Sequence, residues 1–440
     1  MPPVRLFLLR AGVAALATML APRLGRAQST PVLTLVEVER AAQQQPQMLI
    51  ARAATNIAEG QAEQARSPLL PQVTPYLQYT RETGNFVPHP GLTTSARPTS
   101  LTSTQDYWQV GVGVNQLVFD FGQTWQRYRA ADKFVEAQKL SERTTQLQVT
   151  FAVRRAYFGA GATKDLVGVA QEALEDQARH LVQVQGFVDA GTQPEIALAQ
   201  QKAAVANAEV VLISAQNNYQ TAKALLNQAA GLVGGTAYDV GNDALGPVVD
   251  EDQGLQPLAA RALATRPEMA AFDKLRESQE DTLASARGGY GPTVGAVAGA
   301  AEGGVALDAL VPNWYAGVVV NWPIYQGGLT KGQVHAAAAA LQSVNAQRSL
   351  EALQVRLDVD SARLAVRAAK ATIPSADAAV INARERLRLA EERYVAGVGS
   401  IIELNDAEVF YVAARAQAVQ ARFSLSSSRA QLLAALGRVR

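Results

Sequence analysis

Apolar positions recur every seven residues along two long stretches of the chain. Leu198, Val205, Leu212, Tyr219, Leu226 and Val233 form one series, with Ala208, Ala215, Ala222 and Ala229 three places after its middle members. The series returns 206 positions later as Leu404, Tyr411, Ala418, Leu425, Leu432 and Val439, accompanied by Ala407, Ala414, Ala421, Ser428 and Ala435. A strict heptad with large residues at one seam position and small ones at the other predicts coiled-coil helices whose backbones approach closely. A further helical stretch, from about 123 to 189, contains no proline. At 1.5 Å per residue it would reach about 100 Å, too long for one globular core. Gly159 to Gly161 is expected to interrupt it, and Pro374 to interrupt its counterpart in the second half.

Elsewhere the pattern switches to alternation. From Tyr107 to Leu117, one face carries Trp108, Val110, Val112 and Val114, and the other carries Gln109, Gly111, Gly113 and Asn115. Trp314 to Trp322 sets a tryptophan at each end of a face that also holds Ala316, Val318 and Val320. Gln72 to Glu82, with Tyr76 and Tyr79, and the Gly/Ala-rich Thr293 to Gly303 read as their strand partners. Segments of about ten residues with one apolar face and terminal aromatics suit tilted strands crossing a bilayer. Four such strands cannot close on themselves, and open edges are not tolerated in lipid, so several copies must share one barrel.

The chain is internally duplicated. Arg40 to Met48 matches Arg261 to Met269, and Ala65 to Val73 matches Ala286 to Val294, both at an offset of 221. Asn115 to Gly122 then matches Asn321 to Gly328 at an offset of 206. The lost positions place an insertion between about Thr80 and Asp106, where residues 84–105 read as a Pro/Ser/Thr/Gly-rich loop. Residues 28–247 are the first repeat and 248–440 the second. Residues 1–27 read as a secretory signal: Arg5 and Arg10 precede or open an apolar run that ends at Ala21, and Gly25 to Ala27 is a small-residue cleavage site. That run is too short to span a bilayer comfortably.

Composition narrows the function. Lys plus Arg is 40 and Asp plus Glu is 39, a balance that removes the electrostatic case for a nucleic-acid partner. The chain has no cysteine, which excludes disulfides, thiolate chemistry and an N-terminal lipid on Cys. Its three histidines, His89, His180 and His335, have no metal-site spacing. No nucleophile–base set or phosphate loop is apparent, so neither an enzyme nor a bound cofactor is expected.

The duplicated helix–strand–strand–helix plan, Pro46 and Pro267, Leu117 to Gly122 with Pro323 to Gly328, and the helical hairpins Phe187 to Gly191 and Arg393 to Gly397 together resemble the TolC-type outer membrane efflux protein family. The resemblance covers residues 30 to 437. It implies an α+β membrane protein: a long coiled-coil helical barrel in the periplasm joined to a transmembrane β-barrel, four strands per chain, built by a homotrimer. It further implies an exit duct for small molecules or secreted protein, set in outer-membrane lipid and working with a periplasmic adaptor and an inner-membrane transporter. The absence of Cys departs from the many relatives that carry an N-terminal lipid and implies anchoring by the barrel alone.

The same resemblance implies site residues. Gly191, Thr192, Gly397 and Val398 lie at the hairpins that contact the adaptor, and both glycines also suit helix-terminating turns. Glu403 and Asp406, three apart on one helix face, match acidic rings at the pore entrance, although carboxylates at a helix start are also favoured by the macrodipole. Tyr394 matches a tyrosine of the closed state. Gly399 and Ala197 replace an arginine and an aspartate that accompany it in some relatives, which leaves Glu195 as the candidate substitute. Trp108, Trp314 and Trp322 are expected at the membrane interface. The competing readings are a periplasmic adaptor, which needs a lipoyl-like β domain that the sequence lacks, and a soluble coiled-coil structural protein.

Overall fold

The computed structural model describes residues 31–83 and 104–439; the expected signal segment and nearly all of the inserted loop lie outside them. The first half runs β1 (Val32–Leu33), α1 (Leu35–Ala42), α2 (Pro46–Arg66), β2 (Gln72–Thr83), β3 (Thr104–Phe119), α3 (Gln123–Asp189) and α4 (Glu195–Ala230). The second runs β4 (Asp239–Val240), α5 (Leu255–Thr265), α6 (Pro267–Gly288), β5 (Thr293–Gly304), β6 (Val311–Asn321), α7 (Leu329–Val395) and α8 (Ile401–Ala435). α3 and α7 are each 67 residues long and begin and end at equivalent positions of the repeat.

Local chemistry sets these boundaries. Thr34 and Glu37 close a reciprocal capping box on α1. Pro46 and Pro267 open α2 and α6, where the missing N–H is not needed. Gly122 and Gly328, at φ 78° and 87°, turn strand into helix ahead of α3 and α7. The buried Asp120 carboxylate then accepts from the Thr124 amide at 2.7 Å in the first turn of α3.

Two expected interruptions do not occur. α3 continues through Gly159 to Gly161, and α7 continues through Pro374. Gly161 sits where a Cβ would come 2.7 Å from the Phe423 ring of α8, so the glycine serves close helix–helix approach and does not end the helix. Pro374 removes one intrahelical bond, a cost of about 3 kcal/mol. Packing of the flanking Ile373 and Ala376 with Ala418 and Ala421 of α8 holds the helix together there. The heptad series also ends earlier than its spacing implied. Val233 and Val439 lie past α4 and α8, which stop at Gly231 and Gly437 in left-handed conformation.

β1 and β4 form a short parallel pair, and the other four strands form one antiparallel sheet in the order β2-β3-β5-β6, with a register irregularity between Leu117 and Phe119. β2 and β6 are its edges. The main hydrophobic cores lie along the helices instead: one around Val153, Tyr157 and Leu226, a second around Val355, Leu258 and Leu432, and a third at the hairpin end around Tyr394 and Leu404. Sheet and hairpins therefore sit at opposite ends of α3 and α7, about 100 Å apart.

Candidate functional site

The α3–α4 and α7–α8 turns are built alike. The Gly191 amide donates to the Val188 carbonyl and the Thr192 amide to the Phe187 carbonyl, each at 2.9 Å; the Thr192 hydroxyl donates to the same Phe187 oxygen. In the second turn, the Gly397 amide reaches Tyr394 and the Val398 amide reaches Arg393, each at 3.0 Å. Both are Schellman turns, with Gly191 and Gly397 at φ 70° and 73°. No neighbouring atom crowds either glycine, so the backbone conformation alone demands it there. Thr192 and Val398 are exposed at the apex. Gly399 is different: a Cβ would lie 2.9 Å from the Tyr394 amide nitrogen, so this turn as folded has no room for any larger residue.

The candidate gate residues separate in space. Ser400 caps α8 by accepting from the Glu403 amide at 3.1 Å. The Glu403 carboxylate is exposed and ion-paired with Arg393 across the turn at 3.2 Å. Asp406 is exposed and has no ion pair among the described residues. Tyr394 is fully buried, edge-on to Phe187 with ring centroids 5.9 Å apart, and its hydroxyl has no hydrogen-bond partner among the described residues. Burial pushes its phenol up. Ala197 shares the Tyr394 cluster but offers only a methyl group, whereas Glu195 is exposed and does not reach the tyrosine.

A further polar group was missed by sequence reasoning. Gln177 and His180 of α3 are buried, on the same helix face as Val184 and Phe187. Gln201 of α4 donates to the Gln177 side-chain oxygen at 2.7 Å, and His180 Nε2 lies 3.3 Å from Glu391 Oε1 of α7. Glu408 of α8 is buried near Glu391, and both of its carboxylate oxygens lack a hydrogen-bond partner among the described residues. The three- and four-residue steps back from Phe187 were the signal that could have placed Gln177 and His180 inside. Nothing comparable marked Glu408, because its neighbour Ala407 occupies the seam.

At the other end, register sorts the sheet into two faces. Leu77 opposes Val110, while Pro75, Val112, Ala300 and Trp314 form one row and Val73, Val114, Ala298 and Ala316 the next. The opposite face aligns Tyr76 with Gly111, Ala301 and Asn313, and Thr74 with Gly113, Gly299 and Tyr315. On that polar face the Tyr315 ring lies across Gly299, where a Cβ would meet Cζ at 2.7 Å. The apolar face is bare: Trp314 is 76% exposed, Leu77 69% and Val318 69%. A continuous apolar face of this kind is not a water-facing surface. Trp108 packs against Tyr79 with centroids 4.7 Å apart and the rings tilted by 43°, near the end of the sheet remote from the helices. Trp322, one residue past β6, donates to the Tyr290 carbonyl at the helical end. The three tryptophans thus bracket the sheet.

The family model for outer membrane efflux proteins matches residues 38–232 and 258–438. The chain belongs to that family. Among curated relatives, Outer membrane protein TolC of Escherichia coli (strain K12) is 26% identical over 397 residues, spanning 85% of this chain and 76% of that protein. Outer membrane efflux protein BepC of Brucella suis biovar 1 is 25% identical over 341 residues, spanning 75% and 72%. Among solved structures, the outer membrane protein VceC of Vibrio cholerae superposes with a TM-score of 0.76 at 20% identity, covering 92% of this chain and 96% of that one. The Campylobacter jejuni CmeC channel gives 0.78 at 17% identity, covering 95% and 90%. As a member of the outer membrane efflux protein family the chain is a transport duct and not an enzyme. It resides in the outer membrane with its helical part in the periplasm.

Proposed function

We propose that the duct is a homotrimer whose three four-stranded sheets join edge to edge into one barrel, and that the helices continue it as a hollow periplasmic cylinder. The observation that carries this reading is the pair of free edges, β2 and β6, on a sheet whose apolar face is bare. In lipid each unpaired backbone group costs several kcal/mol, so the edges must find neighbours. Apolar side chains of α4 support the same reading: Val210, Val211 and Ile213 remain exposed in the single chain and require a neighbouring helix.

The hairpin apices, with Gly191, Thr192, Gly397 and Val398, form the surface for a periplasmic adaptor, and through it for an inner-membrane transporter. Glu403 and Asp406 line the entrance, with Tyr394 packed behind them. Small molecules expelled from the periplasmic side are the cargo class that the family membership favours. The test is deletion of the gene followed by complementation. Loss should raise intracellular accumulation of dyes, detergents or metal ions, and the intact chain should restore export. Unchanged accumulation of every compound class, with no secreted protein lost, would remove the export reading.

A further inference from the structure

The contact between the two hairpins of one chain carries an antiparallel ladder of opposite charges. Glu172 of α3 is ion-paired with Arg415 of α8. One heptad back along α3 and one heptad on along α8, Asp165 lies in the field of Arg422 as well as that of its neighbour Lys164, while the Arg422 guanidinium itself pairs with Asp377 of α7 at 3.1 Å. One heptad the other way, toward the hairpin apices, the same register brings Arg179 opposite Glu408, with the signs reversed. That rung is open. Arg179 is 70% exposed and pairs with Asp176 on its own helix. Glu408 is 2% exposed, and neither of its carboxylate oxygens has a hydrogen-bond partner among the described residues.

A buried carboxylate in this position holds a proton, reaches a cation, or moves to water. The charges that face Glu408 are Glu391 of α7 and Arg179 of α3. His180 of α3 is engaged by Glu391 at 3.3 Å and leaves its own Nδ1 unpartnered. We propose that Glu408 and Arg179 form a proton-operated rung between the two hairpins. With the proton on, Glu408 stays buried against α3 and Arg179 stays on Asp176. With the proton released to water, Arg179 leaves Asp176 and pairs with Glu408.

The chemistry of the pocket places this exchange in the physiological range. Burial, reinforced by the Glu391 charge, pushes the Glu408 carboxyl up to about 7, with Arg179 opposing. Burial pushes His180 down, against the opposing pull of Glu391. The rung lies about 10 Å along α8 from its first residue, close to the entrance. It would therefore change how firmly the second hairpin is held against the first; that consequence rests on the duct reading, whereas the titration does not.

The experiment is an infrared titration of the full-length protein in detergent, with Glu408→Gln as the difference partner. A protonated-carboxyl band absent from E408Q should disappear with a midpoint near 7. Arg179→Gln should move that midpoint up and Asp176→Asn should move it down, each by on the order of one unit, because the first removes the competing cation and the second frees it. A Glu408 that never exchanges onto Arg179 would titrate in Asp176→Asn at the parent's midpoint, which overturns the rung, as does the lack of any E408-dependent band between about pH 5 and 9. Single-channel conductance measured across the same range should step with pH in the parent and not in E408Q. Equal pH responses in the two, with the band titrating as stated, would overturn the effect on passage alone. Failure to form any conducting assembly would count against the duct reading and leave the titration intact.

Discussion

The Nε atom of Arg393 lies 3.2 Å from Oε1 of Glu403, an ion pair that joins the last turn of α7 to the first turn of α8. Asp406, one helical turn further along, has no such partner among the described residues. Both members of the pair are about half exposed, so it adds little stability, but it does neutralise one acid of the entrance. Asp406→Asn is therefore expected to lower cation preference more than Glu403→Gln, and Arg393→Gln to raise it. Reversal potentials under a salt gradient in planar bilayers check this. A larger loss from E403Q than from D406N would mean that Arg393 does not screen the entrance.

Gly191→Val and Gly397→Val should each strain a turn that needs a left-handed residue, at a cost of about 1–2 kcal/mol. Neither position is crowded, so the effect is on backbone geometry and not on packing. Gly399→Ala should act differently, by pushing its Cβ onto the Tyr394 amide. All three are expected to reduce dye export at normal protein levels. Measurement of accumulation alongside immunoblotting separates lost docking from lost protein; wild-type export by both valine variants would take the apices out of the docking surface.

The free edges predict intermolecular cross-links. Because the chain is free of cysteine, pairs introduced on β2 and β6 report without background. Oxidation of outer-membrane extracts should yield dimers and a closed trimer, whereas pairs on β3 and β5 should yield only intramolecular bonds. A monodisperse monomer in mild detergent would sink the shared barrel.

Glu251 sets the acid limit of the second core. It is 4% exposed, and both of its oxygens lie 3.0 Å from Arg429 nitrogens, with Lys370 at 2.6 Å and the Val248 amide at 2.9 Å. Burial alone would raise its carboxyl, but these donors overcome that and hold it at about 2, below its ordinary 4.5. A depressed carboxyl contributes stability that is complete above about 4.5 and is lost as pH falls toward 2. Glu251→Gln should forfeit that contribution at neutral pH, on the order of 3 kcal/mol, because Arg429 is left buried without its counter-charge. Thermal unfolding followed from pH 2 to 7 should show a weaker acid-side decline in the variant than in the parent. Parallel curves would assign the acid sensitivity to other groups.

Periodicity alone located the rods, the strands and the turn between each pair of long helices, because these features are dictated within a few residues. Seven-residue spacing decides a helix seam, two-residue spacing decides which side chains share a sheet face, and a glycine after the last seam residue decides where the helix turns back. Equivalence of the two halves was equally legible: α3 and α7 start and stop 206 positions apart. What the chain could not show locally was cost against context. Gly161 and Pro374 look like breaks in isolation, yet Phe423, Ala418 and Ala421 across the interface make continuous helices the better solution. The pairing of Glu403 with Arg393 and the orphaned Tyr394 hydroxyl likewise depend on where the second turn folds back. Burial of Glu408 depends on α3, α7 and α8 meeting at one level, and only the tertiary structure brings together helices whose residues lie more than two hundred positions apart.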